Sequence, residues 1–325
     1  MLAYIIRRLL YAIPILIGVN LLTFALFFVV NTPDDMARMQ LGVKRVTPEA
    51  IEKWKVERGY DKPLLINSAA KGLSTVTDTI FFQKSARMFV GDFGRAEDGR
   101  DIAREIAGRM GPSLAIALPT FILGLFVTVT FALTLAFFRA TAFDFWGVVL
   151  CVAMMSISGL FYIIGGQFLI SKLWRLVPIS GYADGIEAWR FLILPVFIGV
   201  ISGIGSSTRW YRTIFLEEVN KDYVRTARAK GLPETVVFFR HVLRNALIPI
   251  LTNIGLALPG IFVGSFLIEV FFSIPGLGRE VLLAVNRSDY PVIQAVTVYV
   301  ALLTMAVNLL TDLLYQWADP RVELK

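Results

Sequence analysis

The chain has 325 residues, of which 56% are hydrophobic and 18% charged, with a net charge of +7. That is too apolar for a soluble domain of this length, and a surplus of cations set in loops between apolar runs is a topology signal that excludes a nucleic-acid-binding role. The single cysteine, Cys151, excludes an intrachain disulfide, and the single histidine, His241, excludes paired-histidine zinc sites.

A hydrocarbon core about 30 Å thick takes roughly 20 apolar residues of helix. In chain order, uncharged windows of that kind run Leu9–Val30, Ser113–Phe138, Phe145–Ser171, Phe191–Ser207, Ala246–Ile268 and Val292–Thr311. They predict an all-α integral membrane protein with six transmembrane helices. Arg7 and Arg8 precede the first window, but its apolar run exceeds a signal-peptide h-region and no small-x-small cleavage site closes it, so it is read as a retained span. The predicted divisions are 1–30 (N-terminus and first span), 31–112 (an external domain), 113–314 (spans two to six, with a long loop at 208–245) and 315–325 (a tail).

The segment 31–112 carries helical signals. Thr47 is a cap, Pro48 and Glu49 suit a first turn, and the helix runs to about Arg58 before Gly59. A second amphipathic helix, Asp101–Met110, sets Ile102, Ile106 and Met110 on one stripe. Between them "GYDKPLL" and "VGDFGR" are turn-rich. Partner docking and structural capping of the spans are both open readings of this small domain.

Lys and Arg in short loops fix orientation. Arg7, Arg8 and Arg139, and the loop cations Arg209, Arg212, Lys221, Arg225, Arg228, Lys230, Arg240 and Arg244, belong in the cytoplasm, which puts both termini inside and 31–112 outside; Arg321 and Lys325 agree. The spans hold no charge at mid-depth, and Glu269 and Asp312 lie just past the ends of spans five and six. The ionisable midplane groups of ion-coupled carriers are therefore missing. Neutral polar residues (Asn20, Ser156, Ser158, Gln167, Thr252, Asn253, Gln294) either line a wet path or bond helix to helix. Pro119, Pro195, Pro249 and Pro259 mark hinges or are simply tolerated, and Gly255, Gly260 and Gly264 permit close helix approach.

No G-x-x-x-x-G-K-[ST] phosphate loop and no G-x-S-x-G elbow occurs, so neither ATP hydrolysis nor serine hydrolysis is expected of this chain. The loop of about forty residues between spans four and five is long for a connection. From Thr213 to Lys230 it lacks Gly and Pro and is predicted helical. Thr226, Ala227 and Ala229 are small enough for another surface to approach, Arg228 and Lys230 suit the helix C-terminus, and Gly231 stops the helix in the left-handed conformation. Pro233 and Glu234 suit the next first turn; Val236, Val237 and Phe239 can pack, while Arg240, His241, Arg244 and Asn245 offer polar contacts. Helix, sharp turn and helix then lead into span five.

The residue order "DYVRTARAKG" followed by "RHVLRNALIP" resembles the cytoplasmic loop of ABC-transporter permeases of the dipeptide and oligopeptide family, in its version of the so-called EAA loop. "YIIRRLLYAIPILIGV", "GYDKPLL", "GDFGR", "FFSIPGLG" and "LLTDLLYQWADPRVEL" extend the resemblance over nearly the whole chain. It implies the type I importer permease fold, a bacterial inner-membrane location, and an ATPase-coupling site at Asp222, Tyr223, Arg225, Thr226, Ala227, Arg228, Ala229, Lys230, Gly231, His241, Arg244 and Asn245. It also implies a paralogous permease subunit, two ABC ATPase subunits that bind ATP and Mg²⁺, and an extracytoplasmic solute-binding protein; the chain itself would bind no cofactor and no metal. Glu269, Pro275, Gly276 and Gly278 are expected at the outer mouth, where Glu269 would pair with Arg279 or Arg287 as an interfacial structural pair or as part of a gate. Two departures stand out: Arg225 occupies the position where the general pattern begins with Glu, and Ser288 separates Arg287 from Asp289 where the family reads Arg-Asp-Tyr-Pro. The family's cargoes include dipeptides, longer peptides, peptide antibiotics, nickel complexes and saccharides, and a membrane scaffold that docks a cytoplasmic partner without transporting anything is the competing reading.

Overall fold

A computed structural model describes residues 2–42 and 47–318; the tail beyond residue 318, with Arg321 and Lys325, lies outside the described residues. The regular structure is helical, and one isolated bridge joins Arg95 to Asp101. The helices that matter below are α1 (Leu2–Ala25), α2 (Pro33–Leu41), α3 (Pro48–Arg58), α4 (Ile102–Phe137), α5 (Ala142–Ser156), α6 (Gly159–Gly166), α7 (Ala188–Val219), α8 (Asp222–Ala229), α9 (Leu243–Val263), α10 (Phe266–Phe271), α11 (Leu277–Asn286) and α12 (Tyr290–Ala318). Two compact units result, one of residues up to Met110 with those from Glu280 onward, the other Gly111–Arg279.

Among the described residues, five helices are long and apolar enough to cross a membrane: Tyr4–Val30, Ile102–Phe137, Gly185–Val219, Glu234–Phe271 and Tyr290–Leu313. The third predicted span is different. Instead of running straight from Phe145 to Ser171, it breaks into Ala142–Ser156 and Gly159–Leu173, bent by 88°. Ile157 and Ser158 are extended at the break, and the Tyr162 hydroxyl donates to the Met154 carbonyl at 2.8 Å, satisfying a group that the lost helical turn releases. The predicted amphipathic helix Asp101–Met110 is likewise not separate. It is the first three turns of α4, which passes through Pro112 and Pro119 without ending.

In the first unit α1 and α12 pack antiparallel. Tyr4 and Arg8 bond Asp312 near one end, with Arg8 Nε at 3.0 Å, and the rings of Phe27 and Tyr290 meet at 5.6 Å near the other. The start of α1 and the later turns of α12 therefore lie at the same end of this pair. The helix predicted at Pro48 forms as expected, with the Thr47 hydroxyl accepting from the Ala50 N–H and Gly59 in the left-handed region at φ 69°. Ile51 and Trp54 from this helix, Met36 and Ala37 from α2, and Phe24 and Phe28 from α1 share one core. Asn20 and Gln294 bond element to element: both donate to Ser85, the last residue of the helical turn Phe81–Ser85, in a buried knot.

In the second unit α5 lies so close to α7 that a Cβ on Gly205 would strike the Cys151 carbonyl and Met155. Arg212 grips Asp144 with both arms, at 2.8 and 2.6 Å, which sets the start of α5 beside the end of α7. Two apolar cores mark the two ends of the unit. One gathers Ile116, Leu194, Ile198, Ile268 and Phe272; the other gathers Ala132, Ala136, Phe215, Val224, Phe238 and Ile250.

Candidate functional site

The hairpin between α7 and α9 sits on the second of those cores. The predicted single helix from Thr213 to Lys230 is interrupted: α7 ends at Val219, Lys221 is extended, and Asp222 starts the short helix α8. The reason is visible in Asn220, whose side chain donates back to the Leu216 carbonyl at 3.0 Å and closes α7. Gly231 takes φ 75°, as its position after α8 requires. Pro233 precedes the next helical turn, at Glu234–Val236, as its cap; a wide turn over Val237–Val242 then leads into α9.

Helical spacing sorts the residues of α8 by face. Val224 and Ala227, one turn apart, are buried in the core, so Ala227 cannot be offered to a partner, contrary to the expectation from its size. Asp222, Arg225, Thr226, Ala229, Lys230 and Gly231 are exposed and form the free face. Tyr223 is half-buried and its hydroxyl donates to Glu218; burial, then this carboxylate, holds the phenol above its ordinary pKa. Arg228 reaches across the turn to Glu234 with Nε at 2.7 Å, tying one limb to the other. On the second limb Val237 is buried as expected, whereas Phe239, expected to pack, is 63% exposed and Phe238 is buried in its place. Phe238 meets the ring of Phe137 at 5.1 Å. His241 is half-buried, its carbonyl accepting from the Asn245 side chain at 2.8 Å, and Arg244 and Asn245 are exposed at the start of α9.

At the other end of the unit Glu269 is fully buried. The Leu277 N–H donates to Ser113 Oγ, whose hydroxyl donates to Glu269 Oε1, each at 2.8 Å, and the Arg279 N–H donates to Oε2 at 3.0 Å. Leu277 and Arg279 stand in the first turn of α11, where backbone donors have no helical partner and the helix dipole favours negative charge. Glu269 is thus neither an interfacial ion pair nor a partner of a guanidinium: it forms no ion pair among the described residues, and Arg279 sends its side chain to the Ser273 carbonyl instead. A Cβ on Gly264, Gly276 or Gly278 would run into this carboxylate or the Phe266 backbone, so three glycines clear the space for one side chain. Pro275 lies within the same turn.

Residues 110–324 match the family of binding-protein-dependent transport system inner membrane components, and residues 1–77 match the N-terminal model of the same systems. The chain belongs to this family. It is 30% identical over 340 residues to the oligopeptide transport system permease protein AppB of Bacillus subtilis, covering 99% of this chain and 100% of that one. It is 32% identical over 353 residues to the dipeptide transport system permease protein DppB of Escherichia coli, with both chains covered in full. As an inner membrane component of such a system the protein is a multi-pass transporter subunit, and membership implies ATPase and solute-binding partners.

Between the two cores the transport component holds a cavity of about 230 Å³. Thr120, Gly124 and Thr128 line it from α4, and Gly199, Gly203 and Ser207 from α7. Asn253 of α9 donates to the Tyr211 hydroxyl at 2.9 Å in its wall. Asn253 stands out in the sequence as a polar residue in an apolar span; the two stripes of small or hydroxylated residues repeating every fourth position, the signal a helical face of this kind leaves, stand out only once α4 and α7 face each other.

Proposed function

We propose that the chain is the permease subunit of an ATP-driven peptide importer, one half of a membrane path completed by a paralogous permease. Two separate ATPase subunits hold the ATP and Mg²⁺, and an external binding protein delivers the peptide. The relatives' names and their coverage of the full chain support the cargo class. The free face of α8 is the ATPase contact, so the hairpin is cytoplasmic; the distribution of cations in the sequence favours the same side for both termini. The small-residue cavity is part of the path, and the Glu269 turn steadies its outer end.

One observation carries the coupling role. Val224, Ala227, Val237 and Phe238 root both limbs of the hairpin in a core shared with α4, α7 and α9. A push on the exposed tip therefore moves a packed body, since cores shift between discrete arrangements and do not deform continuously. The test uses the complete complex in proteoliposomes with an enclosed ATP supply. Ala229→Asp alters only an exposed position, and the expected result is normal assembly, loss of labelled dipeptide uptake, and ATP hydrolysis that no longer responds to the binding protein. Unaltered coupling would sink the assignment. Uptake of no peptide of any length by the unaltered complex would overturn the cargo while leaving the coupling site standing.

A further inference from the structure

The first unit carries a second cavity, of about 390 Å³, within the roughly 300–1,000 Å³ range of small-molecule sites. Its wall holds three cations, Lys84, Arg87 and Arg95, and none of them forms an ion pair or a side-chain hydrogen bond among the described residues. Two other cations of the unit are paired, Arg58 with Glu97 and Lys62 with Asp78. The one carboxylate in the wall, Asp92, accepts the Gly94 N–H at 3.1 Å. The Lys84 amine stands 5.1 Å from the centre of the Tyr60 ring, and burial holds its pKa below the usual lysine range. A charge is partly withdrawn from water, and the carboxylate that acts on it, Glu97, is already held by Arg58.

Depth says what the counter-ion is. The wall includes Phe28, in the last turn of the span Tyr4–Val30, and Pro291 and Gln294, in the first turns of the span Tyr290–Leu313. The cavity is thus level with the ends of two membrane spans, where lipid phosphates stand and where cations beside aromatic rings gather. Val30 and Val90, each two residues along the chain from a lining residue, Phe28 and Met88, are 68% and 83% exposed and offer apolar surface to acyl chains.

We propose that this cavity binds the phosphate headgroup of an anionic phospholipid, with Lys84, Arg87 and Arg95 as its ligands. Each basic residue near a membrane surface contributes about fivefold in affinity for anionic lipid, so neutralising all three should cost about a hundredfold. The complex, delipidated in detergent, would be titrated with phosphatidylglycerol, phosphatidylcholine and inorganic phosphate and followed by native mass spectrometry. Expected are retention of phosphatidylglycerol over phosphatidylcholine, loss of that retention in the K84Q/R87Q/R95Q variant, and its survival in K84R, which keeps the charge. Equal retention by the triple variant overturns the proposal, and so does inorganic phosphate competing as well as the lipid, which would make the ligand a soluble anion. Should the triple variant fail to assemble, photoactivatable phosphatidylglycerol on the unaltered complex decides: adducts within residues 83–95 support the site, and adducts only elsewhere refute it.

Discussion

The two ends of the second unit solve opposite problems with the same backbone device. Gly231 in the hairpin and Gly264 beside Glu269 both take positive φ, 75° and 79°, and Gly264, with ψ 174°, stands in a region essentially closed to any residue but glycine. Around Gly231 an added Cβ meets nothing; around Gly264 it meets the Glu269 carboxylate and Ser113. The hairpin turns its apolar side inward and its charges out, so its glycine serves only the turn. The Glu269 turn encloses its polar groups, and its glycine serves both turn and space. A surface meant for a partner is free to vary in what it shows, whereas a buried carboxylate constrains every neighbour.

The contrast can be broken most sharply by changing both glycines to alanine. Gly264→Ala adds the strain of that glycine-only region, about 1–3 kcal/mol, to an overpacking cost of about 1–3 kcal/mol. Gly231→Ala incurs only a left-handed penalty of about 1–2 kcal/mol. Thermal unfolding of the detergent-solubilised complex should show a large loss for the former and a small one for the latter, and equal losses would mean that the carboxylate yields. Next in size is Glu269→Ala, which leaves the Ser113 hydroxyl and the Arg279 N–H buried without an acceptor, at about 1–3 kcal/mol for each group. Glu269→Gln keeps an acceptor for one of them and should lose markedly less. A third pair sharpens the comparison within the hairpin itself. Ala227→Leu forces a larger side chain into the core for about 1–3 kcal/mol, while Ala229→Leu, on the exposed face, should stay within about 0.5 kcal/mol in unfolding and still impair ATP-driven uptake. Uptake lost in the first and kept in the second would place the partner elsewhere.

What was legible follows the same division. The hairpin could be read because its signals are local: a stop at Gly231, a proline two residues on, and cations at helix spacing. Its face could not, since deciding between Ala227 and Ala229, or Phe238 and Phe239, depends on which side of the hairpin meets α4. The spans were legible as apolar length, but the 88° bend in the third was not, because Ser158–Gly159 inside a continuous apolar run carries no charge or periodicity change. Glu269 was misread as an edge charge for a related reason. Its partners are Ser113, 156 residues away, and backbone donors that carry no side-chain signature at all. Asn20 and Gln294 likewise became a structural knot only once Ser85 stood between them.

The smallest expected effect concerns the tie between the limbs. Arg228 and Glu234 form a fork pair, but their side chains are 30% and 51% exposed, so water and salt screen it. A double-mutant cycle with Arg228→Ala and Glu234→Ala should return a coupling of about 0.2–1 kcal/mol at low ionic strength that shrinks in high salt. If the hairpin moves as a body rooted in its core, uptake should survive both single changes, because Val224, Ala227, Val237 and Phe238 hold the limbs together without the ion pair. Loss of uptake with unfolding unchanged would shift the source of rigidity from the apolar underside to the charged turn, and with it the boundary between the part of the hairpin that is structure and the part that is interface.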